Sequence, residues 1–243
     1  MNWKKKYERD WGRLGLKSDW NNTALADLVS LVIDYRGKTP KKLGSDWVTH
    51  GYRALSARNI KKGQIVQPES IKFADSDLYQ RWMKNEIQRN DILITSEAPF
   101  GEAYLWNSDE KIVLSQRLFA LRCKKEYYAP FIYYYMSTMH FQGELRGRAT
   151  GTTVTGLRQP ELLKCEIWHP DYDQQQIIAD TLSVLDSKIN ENTKINHHLP
   201  PSRSATDISP DIRRGKRESR MSARWRFSAS RSSCMSNMGV HSS

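Results

Sequence analysis

The chain lacks any apolar run approaching the roughly 18 residues of a membrane-spanning helix. Its first residues, MNWKKKYERDW, set cations ahead of no apolar stretch, so no secretory leader is read either, and a cytoplasmic location is expected. Cysteine is scarce: Cys123, Cys165 and Cys234 are odd in number, far apart and without a CxxC spacing. That excludes a disulfide framework and a thiolate zinc site, and predicts two buried thiols and one near the C-terminus. His197 and His198 are adjacent, so on a helix they point about 100° apart, and no further ligand accompanies them. The GxxxxGK[ST] spacing of a phosphate-binding loop is missing, as are an Asn-Pro-Pro-Tyr or Asp-Pro-Pro-Tyr stretch and a Gly-rich loop for S-adenosylmethionine. Neither an ATP site nor methyl transfer is expected of the chain itself. A metal-dependent nuclease, the enzyme-class alternative, would have to use Asp91 and Glu97, which are six residues apart with no Glu-x-Lys pattern.

Negative charge is also in deficit. Lys and Arg number 38 against 27 Asp and Glu, a formal charge of +11, which favours a polyanionic partner such as nucleic acid. Much of the excess lies between Pro200 and Ser243, with nine Lys or Arg, three Asp or Glu and a dozen serines. That composition cannot bury enough surface to offset the entropy of ordering, so disorder is the expectation. The abrupt change at Pro200 suggests a frameshifted or rearranged reading frame. Residues 1–199 keep 29 cations against 24 anions, enough length for one core with a small appendage.

Within those residues helix and strand signals alternate. Ala24 to Asp34 is a short apolar segment that runs into YRGKTPKKLG, where Gly37, Pro40 and Gly44 break any regular element. Ile92–Ile94, Tyr104–Trp106, Ile112–Leu114 and Leu118–Leu121 read as strands of a mixed sheet, with a Pro-Phe-Gly turn at 99–101. YYAPFIYYYMSTMHFQGEL reads as one buried helix starting near Pro130. The fold class expected is α+β, a mixed α/β globule.

A long helix closes the series. Asp173 and Gln176 have capping-box spacing, and Ile178, Leu182, Leu185, Ile189, Asn192, Asn196 and Leu199 follow as a heptad seam. Such a seam pairs with another helix or packs on its own domain; the asparagines suit a register-setting role. The chain thus divides into a globular domain, 1–172, a spacer or dimerisation helix, 173–199, and a tail, 200–243.

GKTP at 37–40, ALSARNIKKGQI at 54–65, RNDILITSEAPFGEA at 89–103, LSQRLFALR at 114–122, TGTTVTGL at 150–157 and DQQQIIADTLSVLDSKI at 173–189 together resemble the specificity subunit of type I restriction-modification enzymes. The resemblance implies a target recognition domain that reads half of a split duplex DNA sequence, followed by a helix. It implies docking to a methyltransferase (modification) subunit and, through it, to a restriction subunit, with S-adenosylmethionine and with ATP and Mg on those partners. A full subunit would carry two such domains whose helices pack antiparallel. The present sequence carries one, so a homodimer through the helix and an inverted-repeat target are expected. A truncated fragment that is inactive or interferes with a full-length subunit is the alternative.

Sequence readers need Arg or Lys on phosphates and Arg, Asn, Gln, Ser or Thr at base edges. The candidates are Arg36, Lys38, Thr39, Lys41 and Lys42 on the GKTP loop; Arg53, Ser56, Arg58, Asn59, Lys61 and Lys62 around ALSARNIKK; and Gln116 with Arg117. Arg58–Asn59 and Gln116–Arg117 are the better base-edge candidates, whereas the lysines equally suit solvated turns. Gly151 and Gly156 permit a tight backbone course that would turn Thr152, Thr153, Arg146 and Arg148 towards DNA. The same stretch equally suits a hydroxyl-lined turn before the strand in KCEIWHP.

Overall fold

The computed structural model describes residues 20–150 and 156–198. In chain order its elements are β1 (Asn21–Ala24), α1 (Leu25–Leu28), β2 (Val29–Asp34), β3 (Tyr52–Leu55), β4 (Ile60–Lys61), β5 (Gln64–Ile65), β6 (Lys72–Ala74), α2 (Ser76–Trp82), β7 (Ile92–Thr95), β8 (Ala103–Leu105), β9 (Val113–Leu114), β10 (Leu118–Cys123), α3 (Ala129–Met136), α4 (Met139–Gly147), α5 (Gln159–Leu163), β11 (Glu166–His169) and α6 (Tyr172–His198). This is the α+β class with a long last helix.

The run Ile92–Thr95 is buried at every position because its sheet is covered on both faces. That sheet has the order β2-β10-β7-β8 and is antiparallel throughout. Successive side chains of a strand point to opposite faces. Accordingly Ile92, Ile94, Phe119 and Leu121 join one core with Leu25, Phe131, Ile132, Phe141 and Leu162 from the helices. Leu93, Leu118 and Ala120 join the other with Ala54, Leu55, Leu78, Trp82 and Trp106. Each such aliphatic or aromatic side chain contributes about 1.5–3 kcal/mol on burial. The single mixed sheet expected from the sequence is instead divided. β9 leaves the main sheet and pairs in parallel with β3, in the order β6-β3-β9, and the indole of Trp82 donates to the Leu114 carbonyl at 3.0 Å. The outer strand β8 is flanked by the β4–β5 hairpin, whose Lys62 amide donates to Glu102 at 2.6 Å; capping an edge this way removes a template for unwanted pairing.

Asp91 is 1% exposed at the start of β7. It receives Arg122 Nε at 2.9 Å and Nη2 at 2.8 Å, together with the Gln88 amide at 2.8 Å. The ends of β7 and β10 are thereby clamped, and hydrogen bonding to Asp91 raises the Arg122 pKa. Of the three cysteines, Cys165 is buried and Cys123 is half-buried rather than fully enclosed; burial pushes both thiols up to about 12, which makes them poor nucleophiles. Cys234 lies outside the described residues.

The aromatic block forms two helices, not one. Thr138 accepts from the Phe141 amide at 3.3 Å and starts α4 anew, because a hydroxyl at this position competes with the helix it follows. α6 is capped two residues before the expected position: Asp171 Oδ1 accepts from the Gln174 amide at 2.9 Å. The stretch holds overlapping cap patterns, and the earlier one prevails because Gln175 is 1% exposed and engaged inside the domain. Its side chain accepts from the Tyr128 amide at 3.0 Å and donates to the Pro170 carbonyl at 2.9 Å.

Contacts divide the chain after Asp186. Before it, α6 is held to α3 by two phenols, Tyr128 donating to Asp180 at 3.0 Å and Tyr134 to Asp186 at 2.9 Å, while Ile178 packs against the core and Ala179 is fully buried. The stripe read as one seam is therefore split. Ile178 and Leu182 turn towards their own domain, whereas Leu185 is 54% exposed. In the second unit, Ile189 is 60% exposed, and Asn192 and Asn196 are exposed too; Leu199 and residues 200–243 lie outside the described residues.

Candidate nucleic-acid interface

Five segments far apart in sequence meet at one end of the main sheet through a relay of hydrogen bonds. The Ala57 amide donates to the Gln116 carbonyl at 3.1 Å, the Ser96 amide to Arg117 at 2.8 Å, and the Leu157 amide to Ser96 at 3.0 Å. Arg36 Nη1 completes the relay by donating to the Leu157 carbonyl at 3.2 Å. An open groove of about 480 Å³ results, lined by Arg36, Ser96, Glu97, Gln116, Arg117 and Arg158, among others. Thr150 and Gly156 pair amide to carbonyl in both directions at 2.9 Å, so the TGTTVTGL stretch meets the groove at both its ends; Thr152 and Thr153 lie outside the described residues.

The backbone around the groove is unusual at Arg117, which has φ +65°. Left-handed geometry is uncommon for a residue with a Cβ. It follows from the three-residue connection between β9 and β10, and it leaves the guanidinium half-exposed at 2.8 Å from Glu97. Gln116 is exposed beside it, and Arg58 is exposed on the turn that follows Ser56. Arg158 completes the cluster. It was not among the residues singled out from the sequence, although it directly follows TGTTVTGL, whose two preceding arginines were.

The remaining candidates divide by what already holds them. Asn59 is fully buried; its carbonyl oxygen accepts from the Ser56 amide and hydroxyl at 3.0 and 2.9 Å, and its amide donates to Ser70 Oγ at 2.9 Å. Expected at a base edge, it instead locks its own turn. Arg53 is forked onto Glu110, and that hydrogen bond raises its pKa. Lys38 Nζ donates to the Trp82 carbonyl at 2.6 Å and sits 4.2 Å from the Tyr35 ring centroid; burial, then the charge of Lys84, lowers its pKa. Lys42 donates to Gly37, and Thr39 accepts from the Lys42 amide at 3.3 Å. Arg148 is held by Glu144. Lys41, Lys61, Lys62 and Arg146 are exposed. Asp91 and Glu97, the nuclease pair, are each bound to an arginine, and among the described residues no group of three or more side chains is placed to hold a metal. No helix of the described residues is long and apolar enough to cross a membrane.

The family model for the type I restriction modification DNA specificity domain matches residues 17–199, a range that takes in all the described residues. The chain belongs to that family. The specificity domain is 25% identical over 185 residues to the type I restriction enzyme MjaVIII specificity subunit of Methanocaldococcus jannaschii, with 74% of this chain and 42% of that protein aligned. The crystal structure of the S subunit of the type I restriction-modification system from M. genitalium shares its fold with a TM-score of 0.52 and 21% identity, over 74% of this chain and 43% of that one. The HsdS subunit from Thermoanaerobacter tengcongensis does so with a TM-score of 0.52 and 14% identity, over 74% and 40%. The chain thus spans less than half the length of each of these relatives.

Proposed function

We propose that this chain reads one half-site of a split duplex target across the groove at the end of β7 and β10, and offers the uncovered stretch of α6 to a second helix. The observation that carries the reading is the relay from Ala57 through Gln116, Arg117, Ser96 and Leu157 to Arg36. It supports a single face on which Gln116 and Arg117 meet base edges while Arg58 and Arg158 meet phosphates. Arg is the usual bidentate partner of guanine, and phosphate contacts set affinity and its salt dependence. Two copies joined through α6 read an inverted repeat, since a twofold pair has a palindromic target. A modification subunit, bringing S-adenosylmethionine, and an ATP-dependent restriction subunit are the partners that fit such a reader.

The test is a binding titration on a randomised duplex pool, followed by the selected target at several salt concentrations. The wild type is expected to enrich a defined half-site and to lose affinity with a slope of about −0.9 per phosphate contacted. Arg117→Gly removes the side chain while suiting the left-handed backbone, so it is expected to keep the melting temperature. It should weaken binding to the selected site about 5- to 150-fold, the equivalent of about 1–3 kcal/mol for a bidentate base contact. A pool returned without enrichment would refute the reading.

A further inference from the structure

We infer that Arg36 is a positioning residue of the groove: its guanidinium is committed to holding residues 156–158 in place and is not a phosphate contact. The inference rests on the DNA-reading role just proposed and concerns how the reading face is kept in shape. Arg36 lies at the end of β2, two residues after Asp34, and its surroundings use the side chain from three directions. Nε donates to Asp34 Oδ1 at 2.9 Å and Nη2 to Oδ2 at 2.8 Å. The Arg36 amide also donates to Oδ1, at 3.0 Å, so the carboxylate anchors both backbone and side chain. The plane of the guanidinium lies over the Phe119 ring with Cζ 3.9 Å from the centroid, and Phe119 is fully buried in the main sheet. The third direction is Nη1 to the Leu157 carbonyl at 3.2 Å.

Those contacts fix the ion by a fork, a stack and a bond to a carbonyl, the combination that distinguishes arginine from lysine. Leu157 is itself 2% exposed and its amide is bound to Ser96. Both polar groups of this one peptide position are thus claimed, one by the 96–101 turn and the other by Arg36. Gly156, next in line, is paired with Thr150. A rigid sheet strand is in this way connected through one guanidinium to both ends of segment 150–156. Arg158, which we place on the DNA face, is the residue immediately after the anchored carbonyl. The phosphate role would leave the guanidinium free to turn outward; here its outward turn would break the fork and release Leu157 together.

Charge and shape separate the two roles experimentally. Arg36→Lys keeps a cation for phosphate but cannot form the fork, and Asp34→Ala keeps the guanidinium but removes its anchor. The positioning role expects both variants to lose about tenfold or more in affinity for the selected half-site, with base preference blunted and the salt slope unchanged. In the free full-length protein, amide exchange of the peptide covering residues 156–158 should quicken by about tenfold in both, while the β7 and β10 amides hold their rates. Wild-type affinity in Arg36→Lys, with Arg36→Gln alone weakened and its slope reduced by about one phosphate, would overturn the inference. Unchanged exchange at 156–158 in Arg36→Lys would overturn it independently. Failure of the wild type to select any duplex sinks the DNA-reading role instead and leaves the exchange measurement to decide the staple.

Discussion

Leu185→Asp combined with Ile189→Asp is expected to leave the chain monomeric at concentrations where the proposed wild-type dimer forms, as read by size exclusion with light scattering. Both side chains are more than half exposed in the single chain, at 54% and 60%, and they stand four residues apart on α6, so they occupy one stripe. Covering an aliphatic side chain of this size contributes about 1.5–3 kcal/mol. A twofold pair uses each position twice, so the double variant removes four such contributions and introduces four carboxylates into an apolar seam. The dissociation constant should rise by more than a thousandfold. Half-site binding by the monomer should survive, since the groove is built from residues before Asp186, but an inverted repeat should no longer be held better than a single half. A wild type that is monomeric throughout would remove helix pairing from the proposal and favour the interfering fragment.

Asp91→Ala is expected to be strongly damaging, acting on stability rather than on any chemistry. The carboxylate is 1% exposed, and its loss strands the Gln88 amide and leaves the Arg122 guanidinium with only the Glu86 carbonyl, at 2.8 Å. Breaking a buried pair by removing one partner costs about 3–5 kcal/mol. The lower end applies here, because the Arg122 side chain is 25% exposed and can reach water. Thermal unfolding should move down by several degrees or more, with DNA binding recovered in whatever fraction remains folded. A variant of wild-type stability that had lost an activity would instead return Asp91 to the catalytic reading that its place near Glu97 first raised.

How much of this was legible beforehand depended on whether the determining interaction was local. The strands 92–95, 103–105, 113–114 and 118–123 were visible as short β-prone runs, and α3 as a helix opened by Pro130, because pattern and punctuation are carried by neighbouring residues. The partner of each strand was not. β9 and β10 are separated by three residues yet enter different sheets, a choice made by the core around Leu55 and Trp82 rather than by their own composition. The cap of α6 was misplaced by two residues because the contact that decides it, Gln175 to Tyr128, spans 47 residues. At the candidate site, residue type alone nominated Asn59 and Lys38 as readily as Gln116 and Arg117. Only burial separates an asparagine that closes a turn from one facing outward. Arg158 carried no distinguishing pattern; its relevance comes from the Ser96–Leu157 bond that brings its neighbour to the groove.

The paired phenols at the start and within α3 bear on how the proposed reader would measure distance along DNA. Tyr128 and Tyr134 are six residues apart, as are Asp180 and Asp186, so the two helices run in the same sense with their rungs about 9 Å apart. Sliding α6 by one residue would rotate it by about 100° and unseat both aspartates and Gln175 together. The stretch of α6 up to Asp186 is therefore indexed to its own domain at a single azimuth, like a key in a shaft. Under the proposed pairing, the phase at which a second reader would arrive on the double helix would start from hydroxyls some 50 residues upstream of the seam.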